Sequence, residues 1–149
     1  MKTLIIYMSL GGNTKQIAQA MADAIGADII NSQDVDADNI SQYELIGFGS
    51  GIYAGKHHQD LFDLMPKLKN NQNAKAFIFS TSGAPASDME KNHQALKKAI
   101  AFKGMKLAGE FNCPGQGSWG IFKLMNFNKS RPNAGDIENA KKFIKEINP

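Results

Sequence analysis

A stretch near the amino terminus combines hydroxyl, amide and glycine residues in a way that suits anion binding. It follows the apolar run Leu4 to Met8 and comprises Ser9, Leu10, Gly11, Gly12, Asn13 and Thr14. An amphipathic helical pattern begins directly afterwards, at Ile17. A helix start offers unpaired N–H groups and the positive end of the helix dipole, so it attracts anions before any side chain contributes. The pattern therefore predicts a site for a phosphate monoester, which carries about −1.5 to −2 charges at neutral pH.

The spacing of this stretch differs from that of a nucleotide-binding P-loop. A P-loop requires Gly-x-x-x-x-Gly-Lys-Ser/Thr, in which the lysine directly precedes the hydroxyl residue. Here the order is Gly12-Asn13-Thr14-Lys15, and no glycine occupies the required earlier position. On a helix, Lys15 is expected to point towards solvent. The sequence therefore argues against a P-loop NTPase and predicts a phosphate held by neutral donors.

Two further loops follow strand-like runs and carry similar residues. One contains Ser50, Gly51, Ile52, Tyr53, Ala54 and Gly55, and the other contains Thr81, Ser82, Gly83 and Ala84. Open α/β folds bind ligands beyond the carboxyl ends of their parallel strands, where such loops meet. We therefore predict that both loops line the same ligand site as the first. The alternative readings are a half-exposed loop tyrosine at Tyr53 and a simple turn at Ser82-Gly83, neither of them contacting a ligand.

The elements that must position these loops alternate between strand and helix patterns. Five apolar runs are predicted to be strands: residues 4–8, 27–30, 45–52, 74–79 and 105–111. Helical spacing is present in four segments: residues 17–25, 61–68, 89–100 and 137–147. This alternation predicts an α/β fold in which residues 1–149 form one doubly wound domain, with a five-stranded parallel sheet and helices on both faces.

Local signals predict where several of these helices begin and end. Gly26 is placed to cap the first helix, and Pro66 is expected to kink or end the second. Ser87-Asp88-Met89-Glu90 has the form of a capping box at the start of the third helix. Residues 33–43 are polar and acidic, and we predict a loop there with at most one helical turn.

Composition excludes several classes of function. The chain has 149 residues and a formal charge of +3, and Arg131 is its one arginine. A surface that reads bases or phosphates usually relies on arginine, so we expect no nucleic acid partner. No apolar run approaches the roughly 20 residues that a membrane span requires. The amino terminus lacks the pattern of a signal peptide, and Cys113 is the one cysteine, so we expect a cytoplasmic protein.

The first loop, together with the element order, resembles the flavodoxin family. The phosphate loop of that family has the form Ser/Thr-x-Thr-Gly-x-Thr, and this chain has Ser9-Leu10-Gly11-Gly12-Asn13-Thr14. It departs from the family at Gly11, where a hydroxyl is usual. The resemblance covers nearly the whole chain and implies a sheet with strand order 2-1-3-4-5. It also implies an FMN cofactor and an electron-transfer role with a protein redox partner.

The resemblance further assigns roles to the second and third loops. The second loop would line the isoalloxazine ring, with Tyr53 as the stacking residue or Ile52 in its place. Either Gly51 or Gly55 would let a backbone carbonyl approach flavin N5. Backbone amides of the third loop would meet the pyrimidine edge of the ring, and no acidic residue lies between Ser80 and Ser87 to oppose them.

Three other functions are alternatives to an electron carrier, and the sequence argues against the receiver domain among them. Residues 49–58 resemble the matching segment of flavodoxin-domain oxidases of the protoporphyrinogen type, and the chain is basic where carriers are usually acidic. An FMN-dependent oxidoreductase acting on a quinone or protoporphyrinogen is therefore the alternative. A phosphoacceptor receiver domain would need acidic residues after strands one and three and a lysine after strand five, where this chain has Ser9/Leu10, Gly51/Ile52 and Asn112/Cys113. A cofactor-free interaction module is the third possibility.

Several isolated residues have a structural interpretation beside a chemical one. Cys113 is predicted to be a structural thiol, and His93 to be a core residue on the apolar stripe of its helix. His57 and His58 are adjacent and lack the spaced partners of a metal site, so no metal is predicted. Lysines 97, 98, 103 and 106 are expected to form a solvated face or a docking patch for an acidic partner.

The segment after the fifth strand contains a second glycine pattern. Gly115, Gly117 and Gly120 spell Gly-x-Gly-x-x-Gly, but they do not open the first strand–helix unit and Pro114 precedes them. We therefore do not interpret them as a dinucleotide fingerprint. The length of this connection indicates a functional segment. Trp119 and Phe122 are expected to pack on the sheet edge rather than to cover a ligand or form a partner surface.

Overall fold

The computed structural model describes residues 1–115 and 130–149 of the chain. The strands are Thr3–Met8 (β1), Asp28–Asn31 (β2), Leu45–Tyr53 (β3), Lys56–His57 (β4), Lys75–Ser82 (β5) and Lys106–Pro114 (β6). The α-helices are Asn13–Ile25 (α1), Gln59–Leu64 (α2), Met89–Phe102 (α3) and Ala134–Ile147 (α4). Short 3-10 helices span Ser32–Asp34, Ile40–Gln42, Met65–Lys67 and Ala86–Asp88.

The sheet has the predicted topology. Its strands lie in the order β2-β1-β3-β5-β6, and every neighbouring pair in this row is parallel. These are the five parallel strands that the apolar runs predicted, so the order 2-1-3-4-5 is confirmed once the short β4 is set aside. The strand β4 was not predicted. It pairs antiparallel with the end of β3, and its two residues carry no apolar run that could have announced it.

Alternating side chains of the central strands form a core on each face of the sheet. One core packs Ile6, Phe48 and Ile78 under α2 and α3. The other packs Ile5, Phe77 and Phe79 under α1 and α4. Burial of apolar surface on both faces explains why these strands read as nearly continuous apolar runs. The predicted doubly wound α/β architecture, with helices on both faces, is confirmed.

The glycines of β3 make room for aromatic rings from the neighbouring strand. Gly47 pairs with Phe77 and Gly49 with Phe79 across the sheet. A Cβ atom at Gly47 would lie 2.2 Å from the Phe77 ring, and one at Gly49 would lie 2.3 Å from the Phe79 ring. Each phenyl ring therefore covers bare backbone. Core packing therefore requires glycine at these two positions of β3. The residues of β3 that line the site lie beyond them, at the carboxyl end of the strand.

The structure confirms two of the four predictions about helix ends and loops and differs from the other two. Gly26 adopts a left-handed conformation and caps α1, as predicted, and α2 gives way to the 3-10 helix containing Pro66. The predicted capping box at Ser87 is wrong, because Asp88 occupies the cap position and its side chain makes no capping hydrogen bond. The segment predicted to be a loop with at most one helical turn, residues 33–43, instead overlaps two 3-10 helices, Ser32–Asp34 and Ile40–Gln42.

The last helix begins with the capping box that the sequence analysis did not identify. The Asn133 side chain accepts a hydrogen bond from Asp136 N at 3.0 Å, and Asn133 N donates to Asp136 at 2.8 Å. Arg131 contacts both carboxylate oxygens of Asp136, at 2.6 and 2.7 Å. These hydrogen bonds, with Arg131 the largest contributor, lower the pKa of Asp136.

None of the helices in residues 1–115 and 130–149 has the length and apolar character that a membrane-spanning helix needs.

Candidate functional site

A cleft of about 480 Å³ opens at the carboxyl ends of β1, β3 and β5. That volume falls within the range of small-molecule sites in proteins. The predicted residues that line it are Ser9, Leu10, Gly11, Asn13, Thr14, Gly51, Ile52, Tyr53, Ala54, Gly55, Thr81, Ser82, Gly83 and Ala84. The three loops singled out in the sequence therefore meet around one space.

Two of the predicted site residues do not line this cleft. Ser50 is fully buried beneath it, and its hydroxyl accepts a hydrogen bond from His58 N at 2.9 Å while contacting Gly51 O at 2.6 Å. Gly12 is the last residue of the first loop before α1, and its φ of 88° places it in the left-handed region. Both residues shape the walls of the cleft, because one anchors the second loop and the other makes the turn into the helix.

The first loop closes on itself before α1 begins. The Ser9 hydroxyl accepts a hydrogen bond from Gly12 N at 3.0 Å, which fixes the turn. Helix α1 follows directly, and a helix start presents backbone N–H groups and the positive end of the helix dipole. No acidic side chain lies in that turn, and Lys15 is exposed as predicted. The arrangement therefore suits a bound anion.

The first and third loops are joined by a pair of buried hydroxyl groups. Thr14 Oγ1 lies 2.8 Å from Thr81 Oγ1, and either atom can be the donor. Both residues line the cleft, and each exposes 5% or less of its surface. One of the two hydroxyl hydrogens is used within the pair. The other is left for a further acceptor, so the pair acts as one donor unit at the cleft floor.

The second loop is a tight hairpin between β3 and β4. Tyr53 pairs with Lys56, and the two residues between them, Ala54 and Gly55, have φ angles of 50° and 78°. Positive φ at both central positions defines the type I′ turn that suits antiparallel hairpins. Alanine adopts this conformation only at a cost, so the hairpin tip stores backbone strain at the edge of the cleft.

The Tyr53 ring covers part of the second loop. A Cβ atom at Gly51 would lie 2.7 Å from the Tyr53 hydroxyl, so glycine is required there for the ring to take its place. The ring also makes an edge contact with His58, with centroids 5.3 Å apart. Burial raises the pKa of the Tyr53 phenol. The side chain is therefore a neutral, partly buried aromatic surface at the cleft.

The third loop is held against β6 and has fewer available donors than the sequence suggested. Ala84 N donates to the Ser82 hydroxyl at 2.8 Å, and Ser82 O accepts from Gly115 N at 3.2 Å. The Ala84 amide is thus already satisfied by its own loop. The strands also run further than predicted, because Thr81 pairs with Cys113 and Ser82 with Pro114. Thr81 and Ser82 therefore lie on β5 itself.

The cleft contains residues that the sequence analysis did not include. Asp88, Lys91 and Asn92 come from the junction with α3 and its first turn, and Gly115 follows β6. A signal existed for the first three, since a helix that follows the third loop must start at the same edge of the sheet. Gly115 presses against the first loop, where a Cβ atom would lie 2.9 Å from the Asn13 side-chain nitrogen. The rest of the predicted Gly-x-Gly-x-x-Gly pattern, Trp119 and Phe122 lie outside the described residues.

Two reactive residue types near the cleft have structural positions. Cys113 is buried in the core, and burial raises the pKa of its thiol to about 12, which removes it from nucleophilic chemistry at neutral pH. His57, on β4 of the hairpin, is buried. Burial and the neighbouring His93 ring lower the pKa of His57 to about 3, so its imidazole is neutral. The prediction that Cys113 and His93 are core residues is confirmed by their burial.

Solved structures with the same fold include flavodoxins. A flavodoxin from the domain Archaea superposes with a TM-score of 0.72 and 19% identity, covering 99% of this chain and 96% of that chain. Oxidised flavodoxin 2 from Bacillus cereus superposes with a TM-score of 0.74 and 16% identity, covering 99% and 98%. At these identities the likeness establishes the fold.

Sequence comparison extends the relationship beyond the fold. An uncharacterized protein from Methanocaldococcus jannaschii is 47% identical over 149 residues, covering 99% of this chain and 98% of that protein. The flavodoxin domain family matches residues 4–118, a span that includes all three loops of the cleft. The chain therefore belongs to the flavodoxin family.

Proposed function

We propose that the protein binds FMN in this cleft and transfers electrons to or from a protein partner. The observation that carries the proposal is the meeting of three predicted loops around one cleft at the carboxyl ends of β1, β3 and β5. Membership of the flavodoxin family supports the same ligand. Bound FMN would supply a ring that takes up and releases electrons, while the protein would hold the ring and tune its potential.

The first loop and the Thr14–Thr81 pair fit the phosphate end of FMN. The start of α1 provides N–H groups, and no acidic side chain in its first turn repels an anion. If Thr81 donates to Thr14, the Thr14 hydrogen is directed to a ligand. Gly11 lacks the hydroxyl usual in the family, so backbone N–H groups and Asn13 would take a larger share of the phosphate contacts.

The second loop fits the isoalloxazine ring. Tyr53 offers the largest flat surface among the lining residues, and Ile52 beside it offers an apolar one. Gly51 belongs to the parallel ladder with Thr81 and is covered by Tyr53, whereas Gly55 lies at the hairpin tip. The backbone that would approach flavin N5 is therefore assigned to the Ala54–Gly55 turn rather than to Gly51.

The third loop and the start of α3 would set the charge around the pyrimidine edge. Lys91 and Asp88 both line the cleft, so one positive and one negative side chain contribute to the electrostatic potential there. A reduced flavin carries negative charge near N1, which a lysine stabilises and a carboxylate destabilises. Since Ala84 N is used within the loop and Ser82 belongs to the ladder between β5 and β6, the amide of Gly83 is the remaining candidate from that segment for the ring edge.

An FMN-dependent oxidoreductase acting on a quinone or protoporphyrinogen is the second candidate. The basic charge of the chain and the sequence of residues 49–58 favour it. One experiment separates the two functions. The protein is loaded with FMN, titrated with reductant while its visible spectrum is recorded, and then mixed with a soluble quinone or with protoporphyrinogen. A carrier is expected to take up electrons in resolved single steps and to turn over neither substrate, whereas sustained turnover would support the oxidoreductase.

A further inference from the structure

A chain of buried polar side chains lies under the cleft, between the sheet and α3. Ser80 Oγ lies 2.6 Å from His93 Nε2, and His93 Nδ1 lies 3.1 Å from Glu110 Oε1. Asn112 Nδ2 donates to Ser80 Oγ at 2.8 Å. The chain ends near the surface, where Lys97 Nζ donates to Glu110 Oε2 at 3.1 Å. Ser80 and His93 are both completely buried.

The hydrogen bonds determine the protonation state of His93. A carboxylate oxygen of Glu110 can only accept, so His93 Nδ1 carries a hydrogen and donates it to Glu110. In a neutral ring Nε2 then has no hydrogen and accepts that of the Ser80 hydroxyl, which itself accepts from Asn112 Nδ2. Burial lowers the pKa of His93, although Glu110 opposes the shift, and this agrees with a neutral ring. This tautomer gives each ring nitrogen of His93 a hydrogen-bond partner.

The order Ser80–His93–Glu110 is that of a hydrolytic triad, but its position excludes nucleophilic catalysis. The Ser80 side chain exposes none of its surface and is absent from the lining of the cleft. A nucleophile must reach its substrate, so the arrangement has another use. Its position indicates that use, because Ser80 directly precedes Thr81 and Ser82, which line the cleft.

His93 also contacts the wall formed by the hairpin. Its ring centroid lies 4.9 Å from that of His57, which is itself 1% exposed. His57 pairs with Ile52 across the hairpin, and its Nε2 atom lies 3.3 Å from Phe79 O on β5. The two histidines thus join the hairpin to β5 from beneath, so the walls formed by the second and third loops share one support.

We propose that His93 is a positioning residue: held by Glu110, it fixes the carboxyl end of β5 through Ser80 and the β3–β4 hairpin through His57. The separation of the two cleft walls is thereby set before a ligand arrives. This inference rests on the proposed function only for the identity of that ligand, FMN. The fixing of the walls is a property of the free protein and can be measured without a cofactor.

Two substitutions of His93 separate the effect of its hydrogen bond to Ser80 from that of its hydrogen bond to Glu110. The glutamine amide oxygen of His93→Gln can reach the position of Nε2 and accept from Ser80, whereas the shorter asparagine of His93→Asn can reach only the position of Nδ1, next to Glu110. Ser80→Ala also removes the Ser80–His93 bond, together with the bond from Asn112 Nδ2 to the Ser80 hydroxyl. Ser32→Ala is a matched control, because Ser32 is also a buried serine and its hydroxyl has no hydrogen-bond partner in the described part of the chain.

Amide hydrogen exchange of the free protein at residues 52–55 and 81–84 tests the positioning role. Ser80→Ala and His93→Asn are expected to speed exchange there by about three- to tenfold, the size expected for the loss of the shared Ser80–His93 hydrogen bond. His93→Gln should stay closer to the unaltered protein, and Ser32→Ala should not change these amides. The effect of the double variant Ser80→Ala with His93→Asn should be smaller than the product of the two single effects, because the Ser80–His93 bond is lost in both.

Binding of FMN by the same variants gives the second readout. The dissociation constant is expected to rise in the order His93→Gln, then His93→Asn and Ser80→Ala together. Unchanged loop exchange in Ser80→Ala, or equal effects of His93→Gln and His93→Asn, would overturn the positioning role. Failure of the unaltered protein to bind FMN would instead overturn the proposed function, and the exchange data would still decide the inference.

Discussion

Thr14 and Thr81 place their hydroxyl oxygens 2.8 Å apart although 67 positions separate them in the chain. The contact joins the first turn of α1 to the end of β5 at the floor of the cleft. Since one hydroxyl orients the other, a ligand held by the first loop is coupled to the geometry of the third. The first and third loops of the cleft are therefore parts of one hydrogen-bonded unit.

Replacing Thr14 with valine is expected to weaken the binding of FMN much more than the binding of riboflavin. Valine keeps the shape of threonine but removes the donor, and riboflavin lacks the phosphate that this donor is proposed to contact. We expect the FMN dissociation constant to rise by roughly tenfold and that of riboflavin by less than about threefold. Fluorescence quenching of each flavin measures both. Thr3→Val, at another buried threonine, is the control. Equal losses of affinity for the two flavins would contradict the proposal that the first loop binds the phosphate.

Replacing Ala54 with asparagine is expected to stabilise the protein. The φ angle of 50° is costly for alanine, whereas asparagine tolerates it, and Asn-Gly is the preferred pair for a type I′ turn. The free energy of unfolding should rise by about 0.5–1 kcal/mol, measured by urea denaturation. Ala54→Val, which brings a β-branched side chain into the same conformation, should lower it. A destabilised Ala54→Asn variant would contradict the turn geometry.

Cys113 is expected to resist thiol reagents in the folded protein. Burial raises the pKa of its thiol to about 12, so only about one thiol in 10⁴ is ionised at pH 8. Alkylation by iodoacetamide should therefore be slow in buffer and fast in denaturant, as followed by mass spectrometry. Similar rates in the two conditions would show that the thiol is accessible and would exclude its place in the core.

Acid is expected to destabilise the protein partly through His57. Burial and His93 lower the pKa of His57 to about 3, below the value near 6.5 of an unfolded chain. The unfolded state therefore binds the proton first, and stability falls as the pH drops from about 6.5 towards 3, by up to ~1.4 kcal/mol per pH unit. Urea denaturation at pH 7 and pH 4.5 should give a smaller loss for His57→Gln than for the unaltered protein. Equal losses would mean that His57 is already protonated or exposed.

The strand–helix order and the sheet topology could be predicted because buried parallel strands leave a strong local signal. The central strand β5, buried on both faces, reads as an unbroken apolar run at Ala76-Phe77-Ile78-Phe79. The loops followed from topology, since the carboxyl ends of parallel strands share one edge. The apolar runs are properties of short segments, and the meeting of the loops follows from the order of those segments. Both can be obtained from a single sequence.

The rest of the site depends on contacts that short segments do not encode. The pairing of Thr14 with Thr81 and of Ser80 with His93 arises when distant elements pack together. The capping box was wrongly predicted because Pro85 starts the 3-10 helix Ala86–Asp88. The chain therefore enters α3 already turning, and Asp88 lacks the extended backbone that a capping side chain needs.

Titration of the purified protein with FMN, followed by visible absorption and flavin fluorescence, tests the central claim most directly. The account predicts saturable binding of one FMN per chain and a perturbed flavin spectrum. It also predicts weaker binding of riboflavin, because riboflavin lacks the phosphate that the first loop is proposed to bind. A protein that leaves the spectrum and fluorescence of added FMN unchanged at saturating concentration would contradict it.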